Sequence, residues 1–480
     1  MNKITLLLTA FCSMTLAAVE KPNIIFIISD DQAWDGLSIA MHPNMDKSKH
    51  AYIQTPNLAK LANEGMRFSA AYAPSPVCAA TRISLQTGKS PAALHWTKAA
   101  KSVTEKNNYP LIPPVNIRDI PESEVTIGEI LQSQNYLTAH FGKWHINGGG
   151  PAKHGYDEHD GDIGNEYAAN YAGDNPVDIF GMVKRSINFM ERAQREQKPF
   201  YLQLSFHALH APQNALQSTI EKYKTLVPKG NEKEIGRAAL SENLDSGIGL
   251  LLTSLERLKL TKNTYIIYMS DNGSGGKKGP LRGGKGDAWE GGIRSPMIVK
   301  GPHIKAGSWC HQRVVGYDWY PTFCDWAGIK KLPKHIEGGK LNDVLTSNNK
   351  GKIHRTREEL VFHFPHYQGD TPHTALFWGD YKLMKFYESE RLFLFNIKKD
   401  ISESNDLSSI LPEMTDQMHQ RMIKYLDEVN AQLPTSNQNY DPNKPSISSK
   451  GKKGSKGKKG GKGKNKASKN HPINDEIRLN

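Results

Sequence analysis

The chain has 480 residues, 38% of them hydrophobic, which is enough to bury a large core. Its net charge of +13 does not indicate a nucleic-acid-binding body. Residues 450–469 hold ten lysines and no acid, so the remainder carries only 13 − 10 = +3.

Residues 1–18 read as a secretory signal. Lys3 supplies the charged start, residues 4–18 the apolar run, and Leu16-Ala17-Ala18 a small-residue cleavage region. The run is shorter than the ~20 apolar residues of an anchoring span, so cleavage and export to periplasm or medium are expected. No later segment looks able to span a membrane. Cys12 lies in the signal, behind a bulky Phe11 that argues against a lipoprotein site. Cys310 and Cys324 could pair, but two buried thiols are the expectation.

Residues 21–31 form a continuous apolar, β-rich run that ends in Asp30 and Asp31. Such a run suits a strand buried on both faces of a parallel sheet. Ligands of such sheets bind beyond the strand C-termini, where the two acids fall. Residues 55–67 predict a helix, with Thr55 as N-cap, Pro56 at its first position and Gly65 as terminator. Pro74 and Pro76 then end what precedes them. Cys78 opens a run free of Gly and Pro up to Thr87, and Gly88 is placed as a C-cap. Cys78 thus sits in the first turn of a short helix, where free N–H groups and the dipole favour an anion. Arg82, four residues on, shares its face.

Residues 94–121 are polar and proline-punctuated, a long loop. A helix is predicted over 126–134 and a strand over 136–141, followed by Gly142-Lys143-Trp144-His145. Residues 148–164 are a Gly- and His-rich loop. Then come a helix over 177–197 and a strand over 200–206 that leads to His207-Ala208-Leu209-His210-Ala211-Pro212. A helix over 238–258 precedes a strand over 265–269 that ends in Ser270-Asp271-Asn272-Gly273. A strand over 296–300 and a helix over 320–327 complete the series. This alternation predicts an α/β domain over residues 19–353, with a large, mostly parallel sheet flanked by helices. Short strands over 360–364, 374–378, 381–386 and 391–396, then a helix over 412–432, predict a smaller antiparallel subdomain over 354–434. Residues 435–480 are rich in Asn, Ser, Lys and Gly, and are expected to be disordered.

Asp30 and Asp31 end one strand, and Asp271 and Asn272 end another. Together they offer three carboxylates and one amide oxygen. Hard oxygen donors without His or Cys thiolate favour Ca²⁺ or Mg²⁺ over zinc, and flexible carboxylate geometry favours Ca²⁺. Lys143 and His145, two apart, can face one cleft if extended. His210 ends another strand. Lys285 sits in a glycine-rich stretch over 281–296 that can hold an anion but lacks the Walker spacing.

The stretch Cys78-Ala79-Ala80-Thr81-Arg82, followed by Thr87-Gly88, resembles the signature of the type I sulfatases of the alkaline phosphatase superfamily. That signature is Cys-x-(Pro or Ala)-x-Arg with a later Thr-Gly. The Asp30-Asp31 and Asp271-Asn272 pairs, Gly142-Lys143-Trp144-His145, His210 before Pro212, and Gly284-Lys285 ahead of Glu290-Gly291-Gly292-Ile293-Arg294-Ser295-Pro296 match in order as well. The resemblance implies an alkaline phosphatase-like fold and a maturation enzyme that oxidises Cys78 to formylglycine. It implies Ca²⁺ bound by Asp30, Asp31, Asp271, Asn272 and the oxygen at position 78. It further implies that a hydroxyl of the hydrated aldehyde attacks sulfur while Arg82 and Lys143 stabilise the hydrate and sulfate oxygens. His210 and Lys285 bind sulfate, one of them protonating the leaving alcohol, and His145 deprotonates the second hydroxyl to expel sulfate. The expected substrate is a sulfated carbohydrate. The alternatives are a phosphonate or phosphate monoester hydrolase of the same superfamily, or a polyanion-binding protein on a sulfatase scaffold. His154, His159, His366, Tyr367 and His373 are placed in loops at the pocket rim, and His207 reads as a core histidine in preference to a partner behind the site residues.

Overall fold

A computed structural model describes residues 21–274 and 279–446. The expected signal and the lysine-rich run lie outside them. Eight strands form the central sheet: β1 (Asn23–Ser29), β2 (Met66–Phe68), β3 (Leu137–Gly142), β4 (Glu158–His159), β5 (Phe200–Ser205), β6 (Thr264–Ser270), β7 (Met297–Lys300) and β8 (Ser308–Cys310). Their order is β8-β2-β7-β6-β1-β5-β3-β4. All neighbours run parallel except β7, which is antiparallel to both β2 and β6. β1 lies at the centre and every residue of it is buried. Ile25 and Ile27 enter one core, and Ile24, Phe26 and Ile28 the other. The period of two in a strand accounts for that split, and burial on both faces for the unbroken apolar run. Helices Pro56–Asn63, Ile179–Glu196 and Glu232–Arg257 cover one face, and Cys78–Thr87, Ile127–Gln132 and Trp319–Trp326 the other.

Register sets the site. Ser29 of β1 lies opposite Ser270 of β6, Ile28 opposite Ser205 of β5, and Ser205 opposite Gly142 of β3. Four parallel strands therefore end at one sheet edge, and the residues after each tip emerge side by side.

Most predicted elements stand with shifted ends. Helix Glu232–Arg257 starts six residues before the expected 238, because Asn231 and Glu234 form a capping box. The helix expected over 412–432 ends at Glu428. Helix Cys78–Thr87 is as expected, with Gly88 in the left-handed region at φ 71°. Every residue of it is buried, so no amphipathic stripe marks it in the sequence.

The C-terminal sheet is an antiparallel meander of β9 (Leu360–Phe364), β10 (His373–Trp378), β11 (Tyr381–Phe386) and β12 (Leu392–Asn396). One face packs on helix Pro412–Glu428, and the other on Tyr72, Trp289, Ile293 and Val315 of the larger domain. Disorder was expected from residue 435, but the chain is ordered onward to 446. Thr435–Ser436 pairs with Leu111–Ile112, Asn437 Nδ2 donates to Tyr109 O at 2.8 Å, and Asp441 N donates to Asn108 Oδ1 at 2.9 Å. Hydrogen bonds rather than apolar burial hold this segment. Cys310 and Cys324 are buried free thiols. Among the described residues no helix is long and apolar enough to cross a membrane.

Candidate active site

The carboxylates of Asp30, Asp31 and Asp271 converge with Cys78 Sγ beyond the tips of β1 and β6, the four ligand atoms all within 4.8 Å of one another. Asp30, Asp271 and Asn272 are fully buried, and Cys78 is 2% exposed. Cys78 Sγ donates to Asp30 Oδ1 at 3.4 Å. Asn272 Nδ2 donates to Asp31 Oδ1 at 2.7 Å, which leaves Asn272 Oδ1 buried without a hydrogen-bond donor. A buried carbonyl oxygen facing no donor is costly unless something positive meets it. Three carboxylates and this oxygen therefore fit a hard divalent cation.

Arg82 closes the floor. Its Nε and Nη2 donate to Asp271 Oδ2 at 3.1 and 2.7 Å, and its Nη1 donates to Lys143 O at 2.6 Å. Nη2 also lies 3.5 Å from Asp30 Oδ2. The helix places Arg82 one turn beyond Cys78, as the spacing of four requires. Lys143 Nζ pairs with Asp30 Oδ2. Lys285 Nζ lies 2.6 Å from Asp31 Oδ1 and 3.2 Å from Cys78 Sγ. His210 Nε2 stands 4.0 Å from Asp31 Oδ2. Asp31 (φ 58°) and His145 (φ 62°) adopt left-handed backbone at the sharp turns after β1 and β3, a conformation uncommon outside glycine.

Electrostatics follow from burial and neighbours. Burial raises the Cys78 thiol pKa, and Asp271 and Asp30 raise it further. The unmodified thiol is thus held neutral, and a thiol is a poor nucleophile where its thiolate is not. Burial would raise Asp30 too, but Lys143 and Arg82 outweigh it and hold the carboxyl well below its usual range. Burial and the neighbouring Asp30 raise Asp271. His145 keeps contact with solvent, yet partial desolvation by the surrounding protein, with Lys143 and Arg82 beside it, lowers its pKa to about 3.

A cavity of about 350 Å³ opens over this floor, lined among others by Lys143, His145, Ile163, His207 and His210. All ten expected site residues therefore meet in one place. Three rim expectations fail. His366 is fully buried against Thr97 and Ser102. His373 is a buried residue of β10 that accepts from Ala288 N at 2.8 Å. His154 packs its ring on Trp144 and bonds Gly148 O. His207, expected in the core, instead lines the cavity with its Nε2 unpartnered. Arg237 was missed altogether. It reaches from helix Glu232–Arg257 to donate to Asp31 O, fixing the turn that aims Asp31. A lone helical arginine carries no motif, so no sequence signal marks it.

A model of the family described as Sulfatase matches residues 22–329. The chain belongs to the sulfatase family. A second model, described as N-sulphoglucosamine sulphohydrolase, C-terminal, matches residues 285–432 of this sulfatase. It is 28% identical over 422 residues to N-acetylgalactosamine-6-sulfatase of Mus musculus, covering 79% of this chain and 75% of that one. It is 29% identical over 404 residues to arylsulfatase A of Homo sapiens, covering 73% and 72%. The crystal structure of Ps i-CgsB in complex with k-i-k-neocarrahexaose superposes with a TM-score of 0.70 at 25% identity, covering 85% of this chain and 93% of that one. The sulfatase is accordingly a sulfuric ester hydrolase, with the mostly parallel sheet and small antiparallel sheet expected of the alkaline phosphatase superfamily.

Proposed function

We propose that this sulfatase is exported and removes sulfate from a sulfated carbohydrate, with Cys78 converted to formylglycine by a maturation enzyme and Ca²⁺ as its metal. The observation that carries this reading is the convergence on Cys78 of three carboxylates, one orphaned amide oxygen and the Lys285 ammonium. The carbohydrate class rests on relatives: one is named for N-acetylgalactosamine 6-sulfate, and another was solved with a neocarrahexaose.

Asp30, Asp31, Asp271 and Asn272 hold the Ca²⁺, which when bound lowers the pKa of an oxygen nucleophile and offsets charge on the sulfate group. The modified residue 78 supplies that nucleophile as the hydrated aldehyde. Arg82 has its donors committed to Asp271, Asp30 and Lys143 O, so it orients the floor rather than gripping substrate. Lys285 and His210 reach the floor from its open side and take sulfate oxygens. As the S–O bond to the sugar breaks, the leaving oxygen takes a proton from one of these two. Partial desolvation, with Lys143 and Arg82 beside it, favours the neutral imidazole of His145, whose unprotonated ring nitrogen can accept a proton when sulfate departs.

The test joins mass spectrometry of the Cys78 peptide to kinetics of Cys78→Ser. The peptide should carry the aldehyde. The variant should lose activity by about 10⁴-fold or more while calcium still raises its melting temperature. A purified Cys78→Ser enzyme that kept most of its turnover would refute the scheme. Faster cleavage of a phosphate ester than of the matched sulfate ester would move the reading to a phosphoryl substrate.

A further inference from the structure

Twelve large apolar side chains are strongly exposed among the described residues, and three of them fall within nine positions: Ile163, Tyr167 and Tyr171. Tyr167 is 70% exposed and Tyr171 47%. Their segment is anchored at both ends to the catalytic machinery. At one end Gly164 packs against the turn that carries Lys143, where a Cβ would come within 2.3 Å of Gly142 O and 2.6 Å of Trp144 N. Only glycine fits so close to two backbones. At the other end Tyr171 O accepts from Asn214 Nδ2 at 3.2 Å, four residues beyond His210, and from Val177 N at 3.1 Å. The strap between, a 3-10 turn over Glu166–Asn170, therefore runs from the Lys143 side of the cavity to the His210 side. Ile163 and Gly164 line the cavity itself.

Large apolar side chains exposed close together in sequence, on a segment that borders a polar cleft, suit a binding face. A tyrosine offers a flat apolar ring with a hydroxyl at its edge. A pyranose has the matching form, a C–H face rimmed by hydroxyls. Charge narrows the choice further. Residues 160–178 contain Asp160, Asp162, Glu166, Asp174 and Asp178 and no Lys or Arg. Asp160 and Asp178 are paired with Arg185, while Asp162 and Asp174 face solvent. The strap itself carries no cation to meet a second sulfate.

We propose that Tyr167 and Tyr171 bind the sugar next to the sulfated one, and that this neighbouring ring is uncharged. The substrate is then a chain of two or more sugars laid across the strap, not a lone sulfated monosaccharide. This inference rests on the carbohydrate reading above. The experiment compares kcat/KM of the full chain on monosaccharide sulfates with disaccharides in which the same sulfated residue is joined to an uncharged or a sulfated sugar. A carrageenan-type pair, with the anhydrogalactose beside galactose 4-sulfate free or sulfated, supplies both arms. 4-Nitrophenyl sulfate serves as the internal standard. Addition of the uncharged sugar should raise kcat/KM about tenfold, mainly through KM, a size expected of one aromatic contact. Tyr167→Ala with Tyr171→Ala should erase that gain relative to 4-nitrophenyl sulfate, and the Tyr→Phe pair should keep most of it. Equal kcat/KM for mono- and disaccharide, or a gain that survives the alanine pair, overturns the platform. Equal preference for a sulfated neighbour overturns its restriction to uncharged rings. Turnover of 4-nitrophenyl sulfate but of no saccharide overturns the carbohydrate reading and this inference with it.

Discussion

The floor and the rim of the active site are built by different means. The floor consists of Asp30, Asp271, Asn272, Cys78 and Arg82, each at most 2% exposed and set on strand tips or the first turns of a buried helix. The rim groups His210 and Lys285 come from loops, with side chains 47% and 26% exposed. Strand register fixes the relative heights of floor atoms to within one residue, which is what a metal and a nucleophile require. Loops trade that precision for access by substrate. The difference has an energetic side. Floor charges are desolvated and depend on one another, so loss of one should cost stability as well as rate. Rim charges keep some water, so their loss should cost rate alone.

Among variants that separate floor from rim, Asp30→Asn should produce the largest combined loss of stability and rate. Its carboxylate pairs with Lys143, accepts from Cys78 and stands beside Arg82. The amide would leave the largely enclosed Lys143, its side chain 13% exposed, without its counter-charge. Removing one partner of a buried pair costs roughly 3–5 kcal/mol. Urea unfolding should report that loss, and kcat/KM should fall on the order of 10³-fold through the damaged metal and nucleophile site. Lost activity with unchanged stability would erase the distinction between floor and rim.

Lys285→Ala sharpens the contrast from the other side. Lys285 bonds Asp31 and Cys78 but reaches solvent from a glycine-rich loop. kcat/KM should fall about 10²-fold, as when one anion-stabilising donor is lost. Stability should move by no more than about 1 kcal/mol. A melting temperature depressed as far as that of Asp30→Asn would place Lys285 with the floor.

The same contrast explains what the sequence disclosed. The acids of the floor were legible because an unbroken apolar run fixes β1, and a run that ends in Asp30-Asp31 leaves its polar residues at the tip. Lys143, His210 and Lys285 were legible through the sulfatase-like spacing around them. Arg237 and His207 were not, because their roles depend on which helix face and which turn end up beside the cavity. His366 and His373 misled for the opposite reason. In sequence they look like polar loop residues, but Phe364 and Phe386 pack around them and their nitrogens find partners inside. The segment after residue 434 carries almost no apolar signal, and the side-chain amides of Asn108 and Asn437 that dock it cannot be paired from sequence alone.

The smallest effect expected tests whether burial by itself, away from the chemistry, gives floor-like behaviour. Glu403 is fully buried, with Lys382 Nζ 2.6 Å from its Oε1 and Glu290 N donating to its Oε2 at 2.7 Å. Burial pushes its pKa up to about 7 from 4.5, and Glu290 adds to the rise while Lys382 opposes it. The folded state then keeps a proton that the unfolded chain releases. Between about pH 4.5 and 7 the folded protein therefore loses stability as pH rises, and above 7 this contribution is flat. Glu403→Gln retains an acceptor for Glu290 N but cannot ionise. The difference in unfolding free energy between wild type and variant should change across that window by on the order of 1–3 kcal/mol. kcat/KM should differ less than twofold, because none of the metal or nucleophile groups touches Glu403. An unchanged pH slope would mean that Lys382 keeps Glu403 ionised in the fold. A rate loss as large as that of Lys285→Ala would mean that this buried cluster is coupled to the catalytic floor through Glu290 and the glycine-rich loop.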